Sequence, residues 1–365
     1  MHFVIFGLTV SSSWGNGHAT LWRALLRALG RGHHTVTFYE KDVPYYATAR
    51  DAWQHPPGFQ LRLYSDLEEI RAEVRRDLER AEVAMITSYC PDAQLASRLV
   101  LDSPARVRAF YDLDTPVTLS ALADGEPVPY LPAQGLGDFD LVLSYTGGKA
   151  LDELHSRLGA RVALPLYGSV DPEAHAPASA NPDFRADLSY LGTYAADRQP
   201  ALEELFVRPA SQMPQHRFVL AGAQYPQDFP WTPNIFFLRH LEPALHPVLF
   251  SSSRATLNIT RRAMAQYGYC PSGRLFEAAA CGTAIFTDCW QGLDAFFTSG
   301  EEILCVNTSN DVITALERPD ADLKSIGRRA RERALSEHTA DQRARSLIAY
   351  CNEVAAGSVP AACSA

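Results

Sequence analysis

Short apolar runs alternating with amphipathic stretches dominate this chain and restrict what it can fold into. In the first half the runs are His2–Phe6, Thr35–Tyr39, Phe59–Leu63, Val83–Thr87, Arg106–Phe110, Asp140–Leu143 and Arg161–Leu164. In the second half they are Leu188–Leu191, Arg217–Leu220, Ile235–Leu238, Ala255–Asn258, Ala284–Thr287 and Ile303–Val306. Such runs are too short for core helices. Their alternation with helical patterns over Ala19–Leu29, Leu67–Glu79, Gly148–Arg157, Gln199–Phe206, Ser272–Ala280, Val312–Glu317 and Ala321–Leu335 predicts βαβ units and parallel sheets. Right-handed crossovers then place helices on both faces.

The series is interrupted once. Leu166–Pro182 carries Pro172, Pro177 and Pro182 among small and polar residues, and proline removes donors and restricts its neighbours. The pattern predicts an α/β protein of two Rossmann-like, doubly wound domains: an N-terminal domain over 1–165, a linker over 166–182 and a C-terminal domain over 183–338. Residues 339–365 follow as a helix, Ala340–Val354, and a tail. Ligands of open α/β sheets bind beyond the carboxyl ends of the strands, so the expected site is a cleft that the two domains face.

Composition narrows the function. The 365 residues carry a formal charge of −9, and basic residues never accumulate beyond patches such as Arg328-Arg329-Ala330-Arg331. General nucleic-acid binding is therefore not expected. Seven cysteines without a Cys-x-x-Cys pair indicate neither a zinc site nor a disulfide framework, and fit the reducing cytoplasm. The start, MHFVIFGLTV, reads as a first strand rather than a signal peptide, and no stretch of apolar residues is long enough to span a membrane.

Candidate chemistry collects at strand ends. Ser11-Ser12-Ser13-Trp14-Gly15-Asn16-Gly17-His18 joins the first strand to the first helix. Its glycines permit close approach to the backbone, and the helix N-terminus favours anions. The helix dipole would keep His18 neutral, the form a general base needs. The motif is neither a dinucleotide fingerprint, since Thr20 stands where a glycine is required, nor a P-loop. After the fifth run comes Tyr111-Asp112-Leu113-Asp114-Thr115-Pro116. Asp112 is a candidate partner that orients His18. Asp114 and Thr115 read mainly as caps of a helix over Pro116–Leu122. Trp14, Tyr45, Tyr46 and Tyr111 suit either stacking on a ligand or core packing.

In the second half, Gly192, Thr193 and Tyr194 offer backbone and hydroxyl donors after a strand, and Ala221-Gly222 ends the next one. Arg261 and Arg262 follow another strand end and suit either a diphosphate or a solvated helix start. The most informative stretch is Tyr269-Cys270-Pro271-Ser272-Gly273-Arg274-Leu275-Phe276-Glu277-Ala278-Ala279-Ala280-Cys281-Gly282, followed by a buried strand to Asp288. Ser272 and Gly273 present a helix N-terminus, and Arg274 offers a donor fork suited to diphosphate. Glu277 is the one charge on an otherwise small, apolar continuation of the helix, on the same face as Arg274. Its carboxylate can accept both hydroxyls of a ribose diol; a surface Arg274–Glu277 salt bridge is the plainer alternative.

Ser272–Asp288, with Gly292 and Gly300-Glu301-Glu302 behind it, resembles the C-terminal domain of GT-B glycosyltransferases, and Pro271–Gly282 and Ser12–His18 look most like the CgeB-like (spore maturation) group. The resemblance implies a nucleotide-diphosphate sugar held mainly by the C-terminal domain and an acceptor facing the N-terminal one. It implies that Glu277 binds the donor ribose, and that Arg274 with the Ser272 and Gly273 amides approaches the diphosphate. Gly192, Thr193, Tyr194 and Gly222 would line the donor pocket, and His18 would stand near the acceptor hydroxyl. Many retaining members carry a Glu eight residues before the ribose-binding one; here that position is Tyr269. In an inverting reaction His18 would act as base, and in a retaining one it would bind acceptor or sugar.

The expected activity is transfer of a sugar from a nucleotide-diphosphate sugar to the hydroxyl or amine of a small molecule, glycan or protein. The alternatives are a nucleotide-sugar epimerase and a non-catalytic nucleotide-sugar-binding protein. No metal or other cofactor is expected, and Asp112 and Asp114 supply fewer oxygens than a hard divalent ion takes.

Overall fold

A computed structural model describes residues 1–14 and 17–360; the predicted site residues Gly15 and Asn16 lie outside the described residues. The chain divides into two compact units. Among the described residues, unit 1 is Met1–Tyr167 together with 340–360, and unit 2 is Gly168–Thr339.

Unit 1 is built on a seven-stranded parallel sheet. Its strands are β1 (His2–Gly7), β2 (Thr35–Lys41), β3 (Phe59–Tyr64), β4 (Val83–Thr87), β5 (Val107–Asp112), β6 (Leu141–Ser144) and β7 (Ala163–Pro165), in the order β3-β2-β1-β4-β5-β6-β7. The inner strands carry continuous apolar runs because both their faces are covered, whereas the edge strand β3 is only partly buried. Phe3 and Ile5 face one core with Trp22 and Leu25 of helix His18–Arg31 and Leu347 and Tyr350 of helix Ala340–Ala355. Val4 and Phe6 face the other core, with Val74, Ala96 and Leu154 from the helices there.

Unit 2 carries a six-stranded parallel sheet: β8 (Ala186–Leu191), β9 (Phe218–Gly222), β10 (Ile235–Arg239), β11 (Ser253–Asn258), β12 (Ala284–Thr287) and β13 (Leu304–Cys305), in the order β10-β9-β8-β11-β12-β13. Each sheet therefore reverses its strand order once, at β1/β4 and at β8/β11, and the carboxyl ends beside such switch points are where open α/β sheets bind ligands.

Two segments sit differently from the sequence-based expectation. The proline-rich stretch over 166–182 is divided between the units at Tyr167 and Gly168. Leu166 is in the core of unit 1, whereas Val170 bridges to Thr339 in unit 2. The amides of Ala178 and Asn181 donate to the Ser251 and Ser252 hydroxyls, each at 2.9 Å, which satisfies backbone that no sheet pairs. The helix expected as an appendage after 339 is part of unit 1, where Leu347, Tyr350 and Cys351 are fully buried.

Candidate functional site

The loop leaving β1 is shaped by a buried acid. Glu40, near the end of β2, is wholly inaccessible, and its carboxylate accepts from the Thr9 hydroxyl, the Val10 and Ser11 amides and the Ser11 hydroxyl at 2.5–3.0 Å. Asp51 continues the clamp, accepting from the Ser13 amide at 2.7 Å and from Arg23 at 2.6 Å. Arg23 also donates to the Val10 carbonyl at 2.9 Å. The segment is thus held on both sides before it enters helix His18–Arg31. Gly17 is the N-cap, and a Cβ added to it would meet nothing within 4 Å, so close packing does not explain this glycine.

His18 pairs with a different aspartate from the one expected. Its Nε2 lies 3.0 Å from the Asp114 carboxylate. Asp114 occupies the N-cap of helix Thr115–Ala123, yet its side chain makes no capping bond. Thr115 does not cap either; its hydroxyl joins the Asp112 carbonyl and the Ser144 hydroxyl. Asp112 stands behind the pair, fully buried, and accepts the Asp114 amide at 3.0 Å. Burial pushes the Asp112 carboxyl up to about 6, while the Thr118 hydroxyl and the Asp114 amide pull the other way. Asp112 therefore positions Asp114, and among the described residues it is Asp114, not Asp112, that pairs with His18. Asp112 is the last residue of β5 and wholly inaccessible, whereas Asp114 is already the N-cap of the helix that follows.

The imidazole is bounded by Tyr89, edge-on at 5.6 Å, whose backbone lies in the left-handed region with φ of 62°. The His18 Nδ1 is buried and has no hydrogen-bond partner among the described residues. Of the four aromatic candidates, Trp14 and Tyr45 are exposed. Tyr111 belongs to the core, and its hydroxyl donates to the Leu166 carbonyl at 2.7 Å.

In unit 2, helix Gly273–Ala280 starts at the carboxyl end of the sheet. Ser272 is its N-cap, accepting the Arg274 amide at 3.3 Å, and Leu275, Phe276 and Ala278–Ala280 are buried. Glu277 faces away from that core. Among the described residues its carboxylate pairs not with Arg274 but with His175 Nε2, at 3.9 Å, and only 15% of its side chain is exposed. His175, His246 and Glu277 bring one ligand-capable atom each to within 4.8 Å of one another. Burial opposes ionisation of Glu277, but His175, His246 and Arg274 more than offset it and hold the carboxyl below its usual range. Burial lowers His246 to about 4, with Arg274 and His175 adding to the effect and Glu277 opposing it.

The glycine loops pack against one another. The Gly192 amide donates to the Ala221 carbonyl at 2.9 Å, and a Cβ on Gly222 would lie 2.0 Å from the Gly192 oxygen. Gly222 is thus required by backbone approach. The Thr193 carbonyl accepts from Arg198 at 2.6 Å, and the Tyr194 ring stands edge-on to Tyr225 at 5.6 Å. Arg261 is half exposed and 3.5 Å from Asp197. Asp288 accepts the Thr260 amide at 2.9 Å and hydroxyl at 3.0 Å, fixing the loop after β11. Tyr269 has a φ of 45°, and its ring lies where a Cβ on Gly292 would be 2.5 Å away.

Sequence reasoning missed Glu40, Tyr89, His175 and His246, and assigned Asp114 to capping. Glu40 left one visible signal, an acid closing the apolar run of β2. The histidines left none, because they join Glu277 only through the fold.

Residues 198–349 match a family described as glycosyl transferase-like. No curated protein sequence matches the chain significantly. Among solved structures, sucrose-phosphate synthase from Thermosynechococcus elongatus superposes with a TM-score of 0.68 at 15% identity, over 98% of this chain and 100% of that one. The catalytic domain of starch synthase IV from Arabidopsis thaliana, bound to ADP and acarbose, gives 0.63 at 12% identity over 97% and 99%. Anabaena HepE in complex with UDP and glucose gives 0.64 at 11% identity over 96% and 99%. The likeness at these identities is one of fold.

Proposed function

We infer that this chain, which has the GT-B glycosyltransferase fold and a glycosyl transferase-like region over 198–349, moves a sugar from a nucleotide-diphosphate sugar to an acceptor hydroxyl or amine. The observation that carries the reading is Glu277, a largely buried anion beside a cationic Arg274 on a helix that begins at the strand ends of unit 2.

Glu277 accepts the two hydroxyls of the donor ribose. Arg274 and the amides at Ser272 and Gly273 face the diphosphate. Charge grows on that group as the glycosidic bond breaks, and fixed donors stabilise it without reorganising. Gly192, Thr193, Tyr194 and Gly222 line the donor side, and Arg261 reaches the diphosphate only by leaving Asp197. The cations supply the charge compensation, so transfer proceeds without a metal.

On the acceptor side, His18 donates its Nε2 proton to Asp114. The Nδ1 lone pair is then the one that takes the proton of the attacking group. Asp114 holds the tautomer and stabilises the imidazolium that forms. The Pro271–Gly282 sequence supports membership of the CgeB-like branch. The free cysteines among the described residues support a cytoplasmic location; no helix among those residues is long and apolar enough to cross a membrane.

A thermal-shift screen against uridine, adenosine, guanosine and thymidine diphosphate sugars tests the reading, since a ligand bound by the native state raises the melting temperature. Product analysis with the stabilising donor follows. Free nucleotide together with a glycosylated acceptor is expected. Conversion of the donor to an epimer without any acceptor, or no stabilisation by any donor, would overturn it.

A further inference from the structure

We propose that His175, His246 and Glu277 form a zinc-binding site in unit 2, and that zinc seated there blocks the nucleotide-sugar donor. Two imidazoles and one carboxylate are a donor set of three-ligand zinc sites, which leave a fourth position to water or another oxygen. The three groups come from separate places in the chain: a turn after Val170, the first position of helix His246–Ser252, and the helix that carries Glu277. Their ligand-capable atoms nevertheless lie within 4.8 Å of one another. Zinc bonds of about 2.0–2.1 Å require each side chain to draw in by less than about 1 Å.

Three observations favour a shared ion over a plain ion pair. His175 Nε2 and the Glu277 carboxylate are 3.9 Å apart, too far for a hydrogen bond and suited to an atom bonded to both. His175 is 7% exposed, and its Nε2 has no hydrogen-bond partner among the described residues. Burying a polar nitrogen unsatisfied is costly, and a metal would satisfy it. His246 has its Nε2 3.3 Å from the Leu241 carbonyl oxygen. Donating there leaves Nδ1 with the lone pair, the tautomer that metal-bound histidines adopt when a carbonyl holds the other nitrogen.

The consequence for the reaction rests on the donor assignment of Glu277. A carboxylate committed to zinc no longer accepts the ribose diol, so metal and donor exclude each other. Arg274 acts electrostatically on both Glu277 and His246 and opposes a second cation. Its removal should tighten zinc while weakening the nucleotide.

The test titrates the metal-free 365-residue chain with zinc against a chromophoric chelator. It then records the absorption spectrum of the cobalt(II) form. Expected are one ion per chain, nitrogen–oxygen ligand-field bands without thiolate charge transfer, and at least a tenfold loss of affinity in both His175→Ala and His246→Ala, with circular dichroism unchanged. Arg274→Ala should bind zinc more tightly. Undiminished binding in both histidine variants, or a thiolate charge-transfer band, would overturn the site. In a parallel calorimetric titration, saturating zinc should weaken uridine or adenosine diphosphate binding at least tenfold. Nucleotide binding unaffected by zinc would overturn the competition. Nucleotide binding absent even without zinc would overturn the donor reading and leave the metal site standing on its own data.

Discussion

At the scale of single residues, the assignments separate two aspartates two positions apart. Asp114 pairs with His18, whereas Asp112 accepts the Asp114 amide. Asp114→Asn should therefore lower turnover by about 10²-fold or more while leaving nucleotide affinity unchanged, a split that steady-state kinetics and calorimetry resolve together. Loss of nucleotide binding in that variant would instead place Asp114 on the donor side. Asp112 matters for stability. Its folded-state pKa, about 6, lies above the ordinary 3.8, so the native protein binds the Asp112 proton more tightly than the unfolded chain does. The native state is favoured below the lower value and loses that advantage as the pH rises through about 6. Asp112→Asn removes the cost of ionisation and keeps an oxygen for the Asp114 amide. Denaturant titration should find the variant more stable at pH 7.5, by about 3 kcal/mol, with the gain gone near pH 4. A gain independent of pH would contradict the assignment.

At the scale of elements, the strands were legible and the side-chain partnerships were not. Every apolar run named from the sequence overlaps a strand; burial on both faces makes the pattern continuous on the inner strands, whereas the edge strands β3 and β10 are apolar but only partly buried. Asp114-Thr115-Pro116 shows why the site was harder. Locally it carries a complete helix-start signature, and only a contact across 96 positions reveals that the carboxylate serves His18. Glu277 stood out as a lone charge on a small-residue helix, but His175 and His246 reach it through tertiary packing that no local spacing encodes. The proposed acceptor side depends on the segment that follows β1, and Glu40 holds its Thr9–Ser11 part with four hydrogen bonds. Bonds to a charged group are worth about 1.5–3 kcal/mol each, and a neutral amide cannot accept them all. Glu40→Gln should cost about 2–4 kcal/mol in urea unfolding and should reduce turnover more than it weakens nucleotide binding. An unchanged unfolding midpoint would contradict the clamp.

At the scale of the whole molecule, the chain builds unit 1, then unit 2, then returns to complete unit 1 with helix Ala340–Ala355. The two-sheet architecture was visible in the alternation of runs. The return was not, because an amphipathic helix at the end of a chain carries no mark of which core it will enter. Ending the chain at Thr339 removes Leu347, Tyr350 and Cys351 from the core of unit 1. Large buried side chains contribute about 1.5–3 kcal/mol apiece, a substantial part of a domain's net stability of about 5–15 kcal/mol. Calorimetric scanning should show the unit 1 transition lowered or abolished and the unit 2 transition unmoved; loss of both together would contradict the division.

The assignment of Glu277 to the donor ribose is tested most directly by measuring the affinity of the metal-free chain and of Glu277→Gln for uridine diphosphate and for its 2′,3′-dideoxy analogue. The native chain should prefer the ribonucleotide at least tenfold, and the variant should bind both alike. An equal preference in the two proteins would remove the carboxylate from the diol and the donor assignment with it.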